Sequence, residues 1–275
     1  MISFDFDYHK PGSIQEAFNC FQHILAQNKK PIYYAGGTEI ISMAKASSIA
    51  FDAVIDLKGI PECNESGIEN GSFSIGCCQT LTEIAQSDLY PLMAKTAKRV
   101  ADHTIQGKIT IGGNIAGTIK YREASLPLMI NDCQATIITK SGLAQIPFKQ
   151  IFDGKLRLEV GEFLVSISID ERDLRLPHVH VKRTKMDKID YPLITMAATK
   201  DNKNVRAAIS GYGEKPLLLP SDILSDSSFD TEKKIKLTIQ QIREECKSDL
   251  SGSREYREFV LCNIVEQMFQ NFDYN

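Results

Sequence analysis

No apolar run in the 275-residue sequence approaches the roughly 18 residues that a membrane-spanning helix needs. Its first ten residues are mixed and acidic, without an apolar signal core or a small-residue cleavage site. From these two absences the expected location is the cytoplasm, with no membrane partner. The seven cysteines, at positions 20, 63, 77, 78, 133, 246 and 262, include no CxxC pair. Zinc sites and iron–sulfur clusters need grouped thiolates, so neither is expected, and the cysteines read as reduced, mostly buried thiols. Cys77 and Cys78 are adjacent; on a strand they would face opposite sides and could not share a metal. GxGxxG and GK[ST] are both missing, which disfavours a Rossmann dinucleotide site and a nucleotide hydrolase. HExxH, a Ser/His/Asp arrangement and a paired-carboxylate motif are missing too. His178 and His180 share a face of an expected strand, but with no third ligand they read as a partly solvated face. The net charge of −3, with both signs interspersed, argues against a broad nucleic-acid surface.

What is present suits a protein with a real core: 43% of residues are hydrophobic and 24% charged, and the length fits two modest domains. Ser13 and Glu16 form a capping-box pattern ahead of Ala17, Phe18, Phe21, Ile24 and Leu25 at helical spacing. A short strand over 32–35 runs into Gly36 and Gly37. Further strands are expected at 53–57, 73–77, 134–140, 144–148 and 163–169, with Ser141 and Gly142 as a hairpin turn. Helices are expected to open at Thr80 and to cover 89–101. The charged stretch Asp170 to Arg175 reads as a junction between domains. Beyond it, 178–184, 193–200 and 205–211 read as an antiparallel meander, turned by 201–204. Ile235, Ile239 and Ile242 mark one closing helix, and Leu261, Val265, Met268 and Phe272 mark another.

Two segments could carry chemistry: YYAGGTEI (Tyr33 to Ile40) and the glycine-rich TIGGNIAG (Thr110 to Gly117). In each, a Gly-Gly pair removes Cβ atoms where backbone N–H groups could turn toward an anion. Thr38, Thr110 and Asn114 would add side-chain hydrogen bonds. Neither core contains Lys or Arg, so a phosphate there would be held mainly by backbone dipoles. Singly, each pair is more often an ordinary turn. The Lys182–Arg183 pair reads as a surface feature.

Together the two segments are specific. The chain resembles the FAD-binding subunits of molybdenum hydroxylases, the family of xanthine and carbon monoxide dehydrogenases, in which an AGGT-type and a TIGGN-type loop jointly hold the FAD pyrophosphate. The resemblance covers nearly the whole chain, including the Pro11 to Ala17 helix start, the Ile55–Asp56–Leu57 strand, the Gly161 to Leu164 strand and the Ser253 to Arg257 segment. It implies an α+β fold: a two-subdomain FAD-binding (PCMH-type) domain over 1–172, then a small α+β domain over 173–275 with an antiparallel sheet and helices. Carried over by position, Tyr34, Ala35, Gly36, Gly37, Thr38, Glu39, Ile40 and Ile41 would wrap one side of non-covalently bound FAD. Thr110, Ile111, Gly112, Gly113 and Asn114 would wrap the other. Glu123 stands where the family usually has an Asp that contacts the cofactor's sugar-like chain. Leu164 would offer a backbone contact to the flavin, Lys182 a nearby positive charge, and Tyr191 a cover for one isoalloxazine face. One departure is Gln106–Gly107, where the family usually reads Arg-Asn.

The resemblance further implies a heterotrimer. A molybdopterin-binding large subunit hydroxylates the substrate, an iron–sulfur small subunit relays electrons, and FAD passes them to NAD⁺ or another acceptor. The substrate pocket belongs to the large subunit. A xanthine-like purine leads by family abundance, ahead of aldehydes, nicotinate-like heterocycles and carbon monoxide. Two alternatives stand beside this one. A free-standing flavin oxidase of the wider superfamily often carries a histidine for covalent attachment in the first glycine loop; here Thr38 follows Gly37. A module in which FAD serves only assembly would not be reduced by NADH.

Overall fold

The computed structural model describes residues 2–187 and 189–274 and shows an α+β fold built on three sheets. The first is parallel and small: β1 (Asp7–His9), β2 (Pro31–Tyr34) and β3 (Ala53–Asp56), with β3 in the middle. β3 is buried at all four positions because both of its faces are covered. Ala53 and Ile55 join the main core with Ala17, Phe18, Phe21 and Ile24 of the helix Ile14–Ala26. Val54 points the other way, toward Ala44, Phe51 and Ile40. The capping pattern at Ser13 is half formed. The Ser13 hydroxyl accepts from the Glu16 N–H at 3.2 Å, while the Glu16 carboxylate takes the Gly12 N–H at 2.8 Å.

The second sheet is antiparallel: β4 (Ser66–Glu69), β5 (Ser72–Gly76), β6 (Gln134–Thr139), β7 (Gly142–Pro147) and β8 (Phe163–Asp170), in the order β4-β5-β8-β6-β7. It shares the main core with the first sheet. Cys77 and Cys78 lie just past β5, in a turn, where strand alternation has ended. The expectation that they face opposite sides is therefore corrected: their Sγ atoms are 3.9 Å apart.

The third sheet is the expected meander, β9 (His178–Thr184), β10 (Pro192–Asp201), β11 (Asn204–Ser210) and the short β12 (Leu217–Leu218). Helices Thr231–Ile242 and Arg254–Tyr274 cover one face, burying Leu261, Ile264, Val265 and Met268 against Ile194, Met196 and Ala198. The other face meets the first core through Ala197 and Ala208. β10 is thus buried on both sides from Pro192 through Thr199, and its small residues allow that close approach. Arg257 locks the far end, donating to the carbonyls of Leu193 (2.8 Å) and Gly211 (2.7 Å) and pairing with Asp249 (2.6 Å). Among the described residues, no helix is long and apolar enough to cross a membrane.

Candidate cofactor site

The first glycine pair owes its place to the parallel sheet. β2 ends with Tyr34 opposite Asp56 of β3, and the chain then turns through Ala35, Gly36 and Gly37 into the helix Thr38–Lys45. Gly37 has φ +69°, a left-handed conformation that strains other L-residues, and a Cβ there would strike the Tyr34 ring. As N-cap, Gly37 contributes no side-chain acceptor, so the first-turn N–H groups, with the positive end of the helix dipole, are left to an incoming anion. Lys58, which sequence reasoning missed, fixes the carbonyl side of this turn. Its Nζ donates to Ala35 O at 2.8 Å and to Asp56 Oδ1 at 2.7 Å, and sits 4.3 Å from the Tyr34 ring centre. Burial works to raise the Asp56 carboxyl. Hydrogen bonds from Lys58 and from the Tyr8 hydroxyl (2.5 Å) outweigh it and hold the group below its usual value.

The second glycine pair is a helical turn, Ile111–Ala116, rather than an open loop. Thr110 caps it, its hydroxyl accepting from Gly113 N–H at 3.2 Å. The two glycines have different surroundings. Gly112 N–H donates to Cys77 O at 2.9 Å, and a Cβ on Gly112 would lie 2.7 Å from Cys77. Gly113 is exposed, and a Cβ there would meet only the Thr110 hydroxyl, at 2.9 Å. Asn114 is buried and accepts from Ala124 N–H at 3.2 Å, tying the turn to the segment that carries Glu123. Gln106, in place of the family's usual arginine, donates to the carbonyls of Lys98 and Ala101, both at 3.2 Å.

The two segments are in contact. A Cβ at Gly36 would collide with the carbonyl oxygen of Lys108 and lie 3.2 Å from Thr110 N. Glu39 clasps them from the far end, accepting from Thr118 N–H (2.6 Å), the Thr118 hydroxyl (2.7 Å) and Ile119 N–H (3.3 Å). Residues 34–41 and 110–114 therefore form one continuous surface. It has an uncapped helix N-terminus on one side and the open Gly113 on the other. These features fit a diphosphate held by the N–H groups of the first segment alone. Those of Ile111, Gly112, Gly113 and Asn114 already donate within the fold, which corrects the expectation that both glycine pairs turn N–H groups to the anion.

The remaining candidates, apart from Leu164 in the second sheet, lie toward the third sheet. Lys182 is buried, which corrects its reading as part of a surface pair. Its Nζ donates to Glu123 Oε2 (3.0 Å) and to Arg99 O (2.8 Å), while the Thr195 hydroxyl donates to Glu123 Oε1 (2.7 Å). Burial pushes the Glu123 carboxyl up, against the pull of Lys182. The pair spans the two cores, from the segment after the second glycine turn to β9. His178 and His180 also face inward: the Nε2 atoms of both are buried, with no hydrogen-bond partner. Both residues keep partial exposure, so the face is partly solvated as expected, with its Nε2 atoms turned toward the first core. Leu164 lies buried in β8 at the irregularity in its pairing with β6. Tyr191 is exposed and stacks on Tyr121, ring centres 5.0 Å apart and 20° from parallel, so it is not a core aromatic.

A family model described as "FAD binding domain in molybdopterin dehydrogenase" matches residues 4–170, more than half of the chain. The chain belongs to this family. It is the FAD-binding subunit type of the molybdenum hydroxylases. The nicotinate dehydrogenase FAD-subunit of Eubacterium barkeri is 25% identical over 214 residues, 73% of this chain and 71% of that protein. The carbon monoxide dehydrogenase medium chain of Hydrogenophaga pseudoflava is 31% identical over 120 residues, 42% of this chain and 41% of that one. The nicotine 6-hydroxylase medium subunit of Paenarthrobacter nicotinovorans is 23% identical and covers 94% of both chains. In structure, a Cu,Mo-CO dehydrogenase chain superposes with a TM-score of 0.85 at 20% identity, covering 98% of each, which shows a shared fold.

Proposed function

We propose that this subunit holds FAD without a covalent bond across residues 34–41 and 110–114. In this reading it passes electrons from iron–sulfur clusters on a small partner subunit to NAD⁺, within a cytoplasmic heterotrimer completed by a molybdopterin-binding large subunit. The observation that carries the proposal is the contact of the two glycine pairs, Gly36 against the backbone of Lys108 to Thr110 beside an uncapped helix N-terminus. FAD, when bound here, would supply the redox chemistry between the clusters and the acceptor. The chain's own residues bind and orient. The N–H groups at Thr38 and Glu39 take the diphosphate, and the exposed Gly113, which has no side chain, leaves room for it. Glu123 and Lys182 fix the wall toward the third sheet, and Leu164 brings backbone to the flavin. Tyr191, resting on Tyr121, covers the face where a nicotinamide would stack. Thr38 stands where an attached flavin would need a histidine, which supports non-covalent binding.

For the holoenzyme we infer an aromatic N-heterocycle as substrate. That class holds both the xanthine-like purine expected above and the molecules named by two relatives, nicotinate and nicotine. The test has two stages. Purified chain mixed with FAD is expected to show flavin absorption and to release free FAD on acid denaturation; flavin remaining on the denatured chain, or no binding at all, removes the reading. The complex co-expressed with its partner subunits is then assayed for NAD⁺ reduction with xanthine, nicotinate and carbon monoxide. Turnover of carbon monoxide alone would overturn the heterocycle assignment.

A further inference from the structure

Three buried thiols lie close together behind the second glycine segment. Cys63 sits in the short helix Pro61–Asn64, and Cys77 and Cys78 lie in the turn past β5. The backbone draws them together. Cys78 N–H donates to Cys63 O at 2.7 Å, and Gly76 is pressed so closely on the Cys63 carbonyl that a Cβ there would collide with it. That hydrogen bond makes Cys63 and Cys78 direct backbone neighbours, with 14 residues of chain between them. Cys77 and Cys78, with Cα atoms about 3.8 Å apart as sequence neighbours, fall outside the roughly 4.4–6.8 Å that a disulfide spans. The same turn supports the cofactor site, because Cys77 O accepts the Gly112 N–H and Cys77 leaves no room beside Gly112.

We propose that Cys63 and Cys78 form an oxidisable dithiol whose disulfide, made by hydrogen peroxide, displaces the turn that supports the second glycine segment. Cys78 is the attacking sulfur. Hydrogen bonds from the Cys63 and Cys77 thiols, with the charge of Lys58, hold it well below the usual thiol range against the cost of burial, whereas Cys63 and Cys77 are pushed up. Its thiolate attacks one peroxide oxygen. The O–O bond breaks, Cys78 becomes a sulfenic acid, and hydroxide leaves and is protonated to water. The Cys63 sulfur then attacks the Cys78 sulfur; the S–O bond breaks, the S–S bond forms, and the hydroxyl leaves with the Cys63 proton as a second water. Two electrons pass from the thiols to peroxide. The link to cofactor affinity rests on the FAD reading above.

The experiment treats the reduced chain, without FAD, with a few equivalents of hydrogen peroxide. The expected product has lost two hydrogens by intact mass and yields a Cys63–Cys78 peptide on non-reducing digestion. Cys63→Ser should stop at a Cys78 sulfenic acid that dimedone traps, and Cys133→Ser, a buried thiol elsewhere, should still form the disulfide. No mass loss, or a link between other cysteines, overturns the dithiol. A flavin-fluorescence titration of the oxidised chain is expected to show FAD bound about tenfold more weakly, with recovery on reduction. A disulfide that leaves FAD affinity unchanged overturns the coupling. A dithiol that forms in a chain that never binds FAD would instead strike at the cofactor reading and leave the dithiol standing.

Discussion

Gly36 and Gly113 look equivalent in sequence, each one of a Gly-Gly pair, yet their surroundings predict different failures. Gly36→Ala puts a methyl into the Lys108 carbonyl, so the two segments must separate, and both thermal stability and FAD affinity are expected to fall. Gly113→Ala meets only the Thr110 hydroxyl, which caps the turn and must shift slightly, so its melting temperature should fall less than that of Gly36→Ala while FAD affinity drops. Calorimetry and flavin titration on the two variants check this; normal FAD affinity in Gly113→Ala would break the assignment of that face. Glu123 and Lys182 call for a different comparison. Lys182→Met strands a buried carboxylate and is expected to cost about 3–5 kcal/mol, much of it restored by adding Glu123→Gln. Denaturant unfolding of both variants decides; an unchanged single mutant that loses FAD would make Lys182 a cofactor contact first. The sequence pointed to all four of these residues, because glycine pairs and matched motif positions are local signals. It did not reveal that Lys182 is sealed under Glu123, Thr195 and Arg99, since that depends on a partner 59 residues away.

Legibility at the level of elements followed the same division. Helix Thr231–Ile242, the helix carrying Leu261 to Phe272 and the meander could all be read from apolar spacing and turn residues. The helical turn Ile111–Ala116 could not, because adjacent glycines oppose helix formation. What imposes it is tertiary: the Thr110 cap and the Gly112 bond to Cys77. Lys58 was missed for a related reason. It lies 20 residues beyond Thr38, and only the parallel register of β2 on β3, with Tyr34 opposite Asp56, carries it to Ala35. Parallel pairing leaves no hairpin signal in the sequence. Lys58→Met should therefore loosen the first turn, weakening FAD several-fold, and it should also lower the melting temperature, because it takes a charged partner from the buried Asp56 carboxylate. Flavin titration at two salt concentrations checks it. An affinity equal to wild type would leave the Ala35 carbonyl without need of its anchor.

At the scale of the whole molecule, stability depends on a seam where β9 faces the first core. His178, His180 and Lys182 alternate along β9 on the face turned inward, and Lys95, Arg99 and Glu123 lie near them. Burial, then the charges of Arg99, Lys182 and Lys95, pushes the His180 imidazole down to about 3, from about 6.5 in an unfolded chain. Between those values the unfolded chain binds more protons than the folded one, so stability rises with pH across that window. The contribution of His180 is complete above about pH 6.5 and is lost progressively as pH falls toward 3. His178 is lowered in the same direction, by burial first, and adds to the slope. The raised Glu123 carboxyl works against it, because a buried acid that binds its proton early gains stability as pH falls. Carboxylates elsewhere, such as Asp170 and Asp249, are each held down to about 2 and add an acid loss of their own. A single acid melt cannot separate these groups, whereas a variant can. His180→Gln removes the titration and keeps a polar side chain, so between pH 7.5 and 4.5 its denaturant midpoint should fall much less than that of the wild type. Parallel curves for the two proteins would mean that His180 meets water in acid without opening the seam, and the pH sensitivity would belong to the carboxylates.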